Sequence, residues 1–153
     1  MPAPTIATCL WYEKDAEAAA RLYCSLFPDG QISHVFPQIG DPETRAFMVE
    51  FTLMGQSFKA MNGGPHYKLT PAASIFVSVD GQAEVDRLWA ALLAGGGQES
   101  RCGWLVDRWG LSWQIIPREL ERLMQSDRSG RVVQAMMQMA KIDVAALEAA
   151  AKG

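Results

Sequence analysis

The sequence predicts an α+β protein made of two tandem β-α-β-β-β units followed by C-terminal helices. Three observations predict it. A shift of 66 residues lays two stretches on each other without a gap, so that Arg21 meets Arg87, Leu22 meets Leu88, Tyr23 meets Trp89, Leu26 meets Leu92, Gly30 meets Gly96 and Thr8 meets Ser74. In both copies a strand-like segment is followed by apolar residues at three- and four-residue spacing, the period of an amphipathic helix. One such unit alone has a single helix on a sheet whose other face is bare, and pairing two units buries it.

The elements follow in order. Thr5–Tyr12 and Ala73–Val79 read as the first strands, with Ile75, Val77 and Val79 alternating against Ser74, Phe76 and Ser78. The first helix carries Ala16, Ala19, Ala20, Tyr23, Leu26 and Phe27 on one face, and the second carries Val85, Leu88, Trp89, Leu92 and Leu93. Asp15 and Asp80 stand where an N-cap carboxylate would accept the free amides of the first turn. Pro28-Asp29-Gly30 and Gly95-Gly96-Gly97 stop the helices.

Three strands then complete the first copy, Gln31–Phe36, Arg45–Leu53 and Ser57–Met61. The second copy is shorter, with Gln98–Arg101, Gly103–Asp107 and Leu111–Ile116. A helical turn is expected at Pro117–Met124, a polar break at Ser126–Gly130, and helices at Arg131–Met139 and Asp143–Lys152, the last capped by Asp143. The expected organisation is 1–64, 65–117 and a helical tail at 118–153. Val133, Met136 and Met137 form an apolar stripe that either packs on the protein's own sheet, closes a pocket or meets another subunit.

Composition excludes several classes. Hydrophobic residues make up 49% of the 153 residues, enough for a real core, and charged residues 20%. The formal charge of −3 gives no basic footprint for nucleic acid. No apolar run approaches a membrane span, and Met1–Cys9 lacks the pattern of a signal peptide. Cys9, Cys24 and Cys102 are odd in number and far apart, which fits free thiols in a reducing cytoplasm.

Several stretches carry a resemblance. Leu22-Tyr23-Cys24-Ser25-Leu26-Phe27-Pro28-Asp29, Met61-Asn62-Gly63-Gly64-Pro65-His66-Tyr67, Glu84-Val85-Asp86-Arg87-Leu88-Trp89, Cys102-Gly103-Trp104-Leu105-Val106-Asp107 and Gly110-Leu111-Ser112-Trp113-Gln114-Ile115-Ile116-Pro117 resemble the vicinal-oxygen-chelate superfamily. This superfamily includes glyoxalase I, extradiol dioxygenases and fosfomycin- and bleomycin-resistance proteins. Within it the chain is similar to the PhnB-like branch, whose members often carry the name 3-demethylubiquinone-9 3-methyltransferase. The segment Lys141–Leu147 shares that likeness. The resemblance implies a glyoxalase/bleomycin-resistance-type curved sheet, a homodimer, and a cup for a small molecule. Activity does not follow from it, because members share a fold and differ in chemistry.

Metal-dependent relatives take His and Glu ligands from the first and last strands of each unit. Carried over by motif, those positions fall on Thr8, Ser74, Gln114 and either Phe58 or Ala60. None is a His, Glu or Asp, so no metal and no cofactor are expected. By alternation Thr8, Ser74, Phe76, Ser112, Gln114 and Asn62 are expected to face the cup, an apolar surface with a few neutral hydrogen-bonding groups.

Other candidates have two readings each. Phe47, Val49, Phe51 and Leu53 are expected to form the helix-covered face of their strand, which turns Glu50 toward the cup as a general base, an anchor for a cationic group or a satisfied structural carboxylate. His66, in the glycine-rich loop after Asn62, is an acid or base or plain surface. Cys102 is a rim thiol or structural. The leading expectation is a metal-independent small-molecule binder. The alternative is a lyase or isomerase using Glu50 or His66. A methyltransferase is disfavoured, since the glycine triplet follows a helix instead of linking a strand to one.

Overall fold

The computed structural model describes residues 1–41, 43 and 45–153. They fall into two units, Met1–Leu69 and Thr70–Gly153. The first contains β1 (Thr8–Tyr12), α1 (Ala16–Leu26), β2 (Gln31–Pro37), β3 (Ala46–Leu53) and β4 (Gln56–Asn62). The second contains β5 (Ser74–Val79), α2 (Gly81–Leu93), β6 (Gln98–Glu99), β7 (Trp104–Val106) and β8 (Ser112–Pro117). It continues into α3 (Arg118–Ser126), α4 (Arg131–Met137) and α5 (Val144–Lys152). The β-α-β-β-β order stands in both.

The two sheets share one topology. Strand order is β1-β4-β3-β2 in the first and β5-β8-β7-β6 in the second, with the first and last strand of each unit parallel. In the first unit, α1 buries Ala16, Ala19, Ala20 and Tyr23 over Leu10, Tyr12, Val49, Phe51, Phe58 and Ala60. The Tyr12 and Tyr23 hydroxyls bond at 3.1 Å, and the Phe51 and Phe58 rings stack at 5.3 Å. In the second unit, α2 buries Val85, Leu88, Trp89 and Leu92, and the sheet supplies Leu105, Trp113 and Ile115, all fully buried.

Three expectations need correction. Neither Asp15 nor Asp80 makes a side-chain cap; at α1 the amide of Ala16 instead donates to Asn62 Oδ1 at 2.8 Å, from the far end of the unit. Phe47 was expected on the helix-covered face with Val49, Phe51 and Leu53. A register shift pairs Phe36 with Met48 but Pro37 with Ala46, so Ala46 turns inward and Phe47 is 44% exposed. Finally, the residues before Thr8 are not part of the first strand.

The tail packs on the second unit. Ile116, Leu120, Val132, Ile142 and Leu147 form one buried cluster, with Met136 partly buried against it and Met137 exposed. Asp143 caps α5 as expected, accepting from the Ala146 amide at 3.0 Å. Asp127 organises the start of α4. The Ser129 hydroxyl and the amides of Val132 and Ser129 hold its carboxyl at a pKa of about 2. A lowered folded-state pKa adds stability that is complete above the ordinary value of 3.8 and is lost as pH falls through about 2. Exchange protection of the Val132 amide should therefore fall across that acid window, in step with protonation of Asp127 followed by carboxyl NMR.

Candidate functional site

Side chains alternate across a strand, so register decides which residues each unit turns away from its helix. In the second unit Ser74 pairs with Ser112, Phe76 with Gln114 and Ser78 with Ile116, and all six lie opposite the face of Trp113 and Ile115. Gln114 Nε2 donates to Ser74 Oγ at 2.9 Å. Phe76 is 52% exposed. The Ser112 hydroxyl is buried and has no hydrogen-bond partner among the described residues. The Ser78 hydroxyl donates to Glu121 of α3 at 3.3 Å, so the tail bounds this face at one end.

The first unit differs from expectation. Thr8 pairs with Phe58 and alternates with Leu10 and Tyr12, which places it on the helix-covered face together with Phe58 and Ala60. The 66-residue shift holds through the helices, where Ala19 and Val85, Tyr23 and Trp89, and Leu26 and Leu92 are all buried. It fails in the strands because the connections differ by one residue: inward-facing Tyr12 lies seven residues before Ala19, whereas inward-facing Val79 lies six before Val85. An odd slip inverts every side chain of the strand.

Asn62 is also on the covered side, paired with Tyr12. Both ends of its amide are committed, Oδ1 to the Ala16 amide and Nδ2 to the Ala46 carbonyl at 2.8 Å. The residues that do face away from α1 on β1 and β4 are Cys9, Trp11, Lys59 and Met61. Sequence reasoning missed them. The signal was present in the alternation of Leu10 and Tyr12 against Cys9 and Trp11.

Glu50 faces that same side, as expected, and forms an ion pair with Lys59 across β3 and β4. The loop after Asn62 is pinned by Trp11, whose Nε1 donates to the Gly64 carbonyl at 2.9 Å. The Trp11 ring meets Tyr67 edge-on at 5.0 Å and leaves no room for a side chain at Gly63, where a Cβ would lie 2.2 Å from the indole. His66 is exposed on this loop. Cys102 holds a φ of 58°, and its amide donates to the Met139 carbonyl, so its backbone serves the docking of the tail.

Of the positions carried over from metal-dependent relatives, Ser74 and Gln114 offer a hydroxyl and an amide bonded to each other, and Thr8, Phe58 and Ala60 lie on the helix-covered face of the first sheet. Among the described residues no three His, Cys, Asp or Glu side chains gather where they could hold a metal ion. No helix among them is long and apolar enough to cross a membrane.

Known proteins with this arrangement define the class. The topology is that of the glyoxalase/bleomycin-resistance proteins. The genomically encoded fosfomycin resistance protein FosX from Listeria monocytogenes shares the fold at 13% identity and a TM-score of 0.51, over 76% of this chain and 94% of its own. Residues 4–116 match the family model described as 3-demethylubiquinone-9 3-methyltransferase, and the chain belongs to that family.

A PhnB protein from Bacillus cereus carrying the same methyltransferase description is 28% identical, with a TM-score of 0.67 over 74% of this chain and 99% of its own. A Pseudomonas aeruginosa protein is similar at 21% identity and a TM-score of 0.62, over 75% of this chain and 98% of its own. No curated protein matches the chain. The family match stops at residue 116, so α3–α5 lie beyond it.

Proposed function

We propose that the protein binds a small, largely uncharged organic molecule without a metal, on the face of the second sheet that carries Ser74, Phe76, Ser112 and Gln114. The Ser74–Gln114 pair beside half-exposed Phe76 carries the reading, because together they offer neutral polar groups and one aromatic surface on one face, with the buried Ser112 hydroxyl beneath them. The homodimer belongs to this reading on family resemblance, and the cytoplasmic location on the three free thiols.

A screen of neutral aromatic fragments by ligand-observed NMR tests it. Hits should weaken about tenfold in Phe76→Ala and in Gln114→Ala, the worth of one good hydrogen bond or ring contact. Hits indifferent to both variants, or dependent on added divalent metal, would overturn it.

The competing readings have less support. A lyase or isomerase using Glu50 as base must first release that carboxylate from Lys59. The methyltransferase of the family description calls for a glycine-rich turn between strand and helix. Here Glu13-Lys14-Asp15 and Asp80 fill those turns, and Gly95-Gly96-Gly97 comes after α2. Micromolar binding of S-adenosylmethionine in calorimetry would reverse this judgement.

A further inference from the structure

The register of the first sheet lines up side chains that the function proposed above leaves unused. Cys9 pairs with Lys59, Lys59 with Glu50 and Glu50 with His34, so four ionisable side chains form one row across all four strands, on the face away from α1. The next row on that face is apolar: Trp11 pairs with Met61, Met61 with Met48 and Met48 with Phe36. The rows are two residues apart, about 7 Å along the strands. On the other side of the ionisable row lies a hollow of about 200 Å3, walled by Glu50, Lys59, the hydroxyl residues Ser33, Thr52 and Ser57, and Ala7.

We propose that this face binds a zwitterionic α-amino acid with a large apolar side chain, its ammonium at Glu50, its carboxylate at Lys59 and its side chain across the Trp11–Met61–Met48–Phe36 row. The Glu50 and Lys59 side chains keep 33% and 38% of their surface exposed. An ion pair so exposed stabilises the fold by no more than about 1 kcal/mol, so a ligand can share it at little cost. A single-charge ligand is attracted by one partner and repelled by the other. A zwitterion presents the opposite sign to each. The 7 Å step between rows matches the reach from an amino acid's charged head to the end of a phenylalanine or methionine side chain. The hydroxyl groups around the hollow can solvate the head, and the half-buried Trp11, Met48 and Met61 can cover the tail.

The test is a 1H–15N NMR titration of the whole chain with L-phenylalanine and L-methionine, against glycine, 3-phenylpropionate and phenethylamine. The expected result is selective shifts at residues 48–52 and 57–61, with both single-charge analogues and glycine binding about tenfold more weakly. Glu50→Gln and Lys59→Gln should each weaken L-phenylalanine by a similar factor. Equal binding of 3-phenylpropionate, shifts that ignore both variants, or no shift at these residues up to the solubility of L-phenylalanine would overturn the proposal. Should a variant disturb the spectrum broadly, the analogue series on the native chain decides alone. Signals of 74–78 and 112–116 report the second sheet separately, so failure of one site is distinguishable from failure of the other.

Discussion

Replacing Asp107 with Ala is expected to destabilise the protein by about 3–5 kcal/mol, because each buried donor left unpaired costs about 1–3 kcal/mol. Asp107 is 3% exposed and holds three donors. Its Oδ1 accepts from the amides of Trp109 at 2.9 Å and Leu111 at 3.1 Å, and its Oδ2 accepts from Trp113 Nε1 at 3.0 Å. The carboxylate thus ties the turn between β7 and β8 to the largest fully buried side chain. Asp107→Asn keeps the shape but sets an NH2 against a donor, so about half the loss is expected. Urea unfolding measures both; a loss below about 1 kcal/mol for the alanine variant would show that the turn does not depend on this residue.

Leu147→Ala is expected to cost about 2–5 kcal/mol, the range for emptying a well-packed leucine site. Leu147 of α5 is fully buried against Ile142, Val132 and Ile116, so the cavity opens between the tail and β8. The tail is moored by more than packing. The amides of Cys102 and Gly103 donate to the carbonyls of Met139 and Ala140, at 2.9 and 2.8 Å. Gln82 of α2 acts as a peptide mimic, donating to the Ile142 carbonyl at 3.0 Å and accepting from the Val144 amide at 2.8 Å. A Cβ on Gly103 would lie 2.6 Å from Ile116, which shows how close the backbone comes. One cooperative transition shifted to lower denaturant is the expected result. An unchanged main transition beside a separate early one would mean that the tail is an appendage.

Local patterning made the fold legible. Helical spacing placed α1 and α2, and alternation of Ile75, Val77 and Val79 against Ser74, Phe76 and Ser78 oriented β5 correctly, because a strand covered on one face repeats with period two. The family resemblance supplied the topology. The candidate site was half legible, and the illegible half has one physical source. Transferring the orientation of Ser74 to Thr8 assumed that the repeat is ungapped across a connection, but connections absorb length changes at little cost while strands cannot shift by one residue without inverting. The same local blindness hid the bulge that exposes Phe47 and the long-range cap from Asn62 to α1, since both depend on which strands become neighbours. Asp107 escaped notice because its donors are gathered only by the turn geometry.

Metal content is the most direct measurement of the proposed metal-independent binding, which rests on sheets that carry a hydroxyl–amide pair at Ser74 and Gln114 and an ion pair at Glu50 and Lys59. Protein dialysed against a chelator and then offered Mn2+, Ni2+ or Zn2+ should keep its melting temperature and retain no stoichiometric ion by elemental analysis. One ion per chain, held through dialysis and raising the melting temperature, would contradict it.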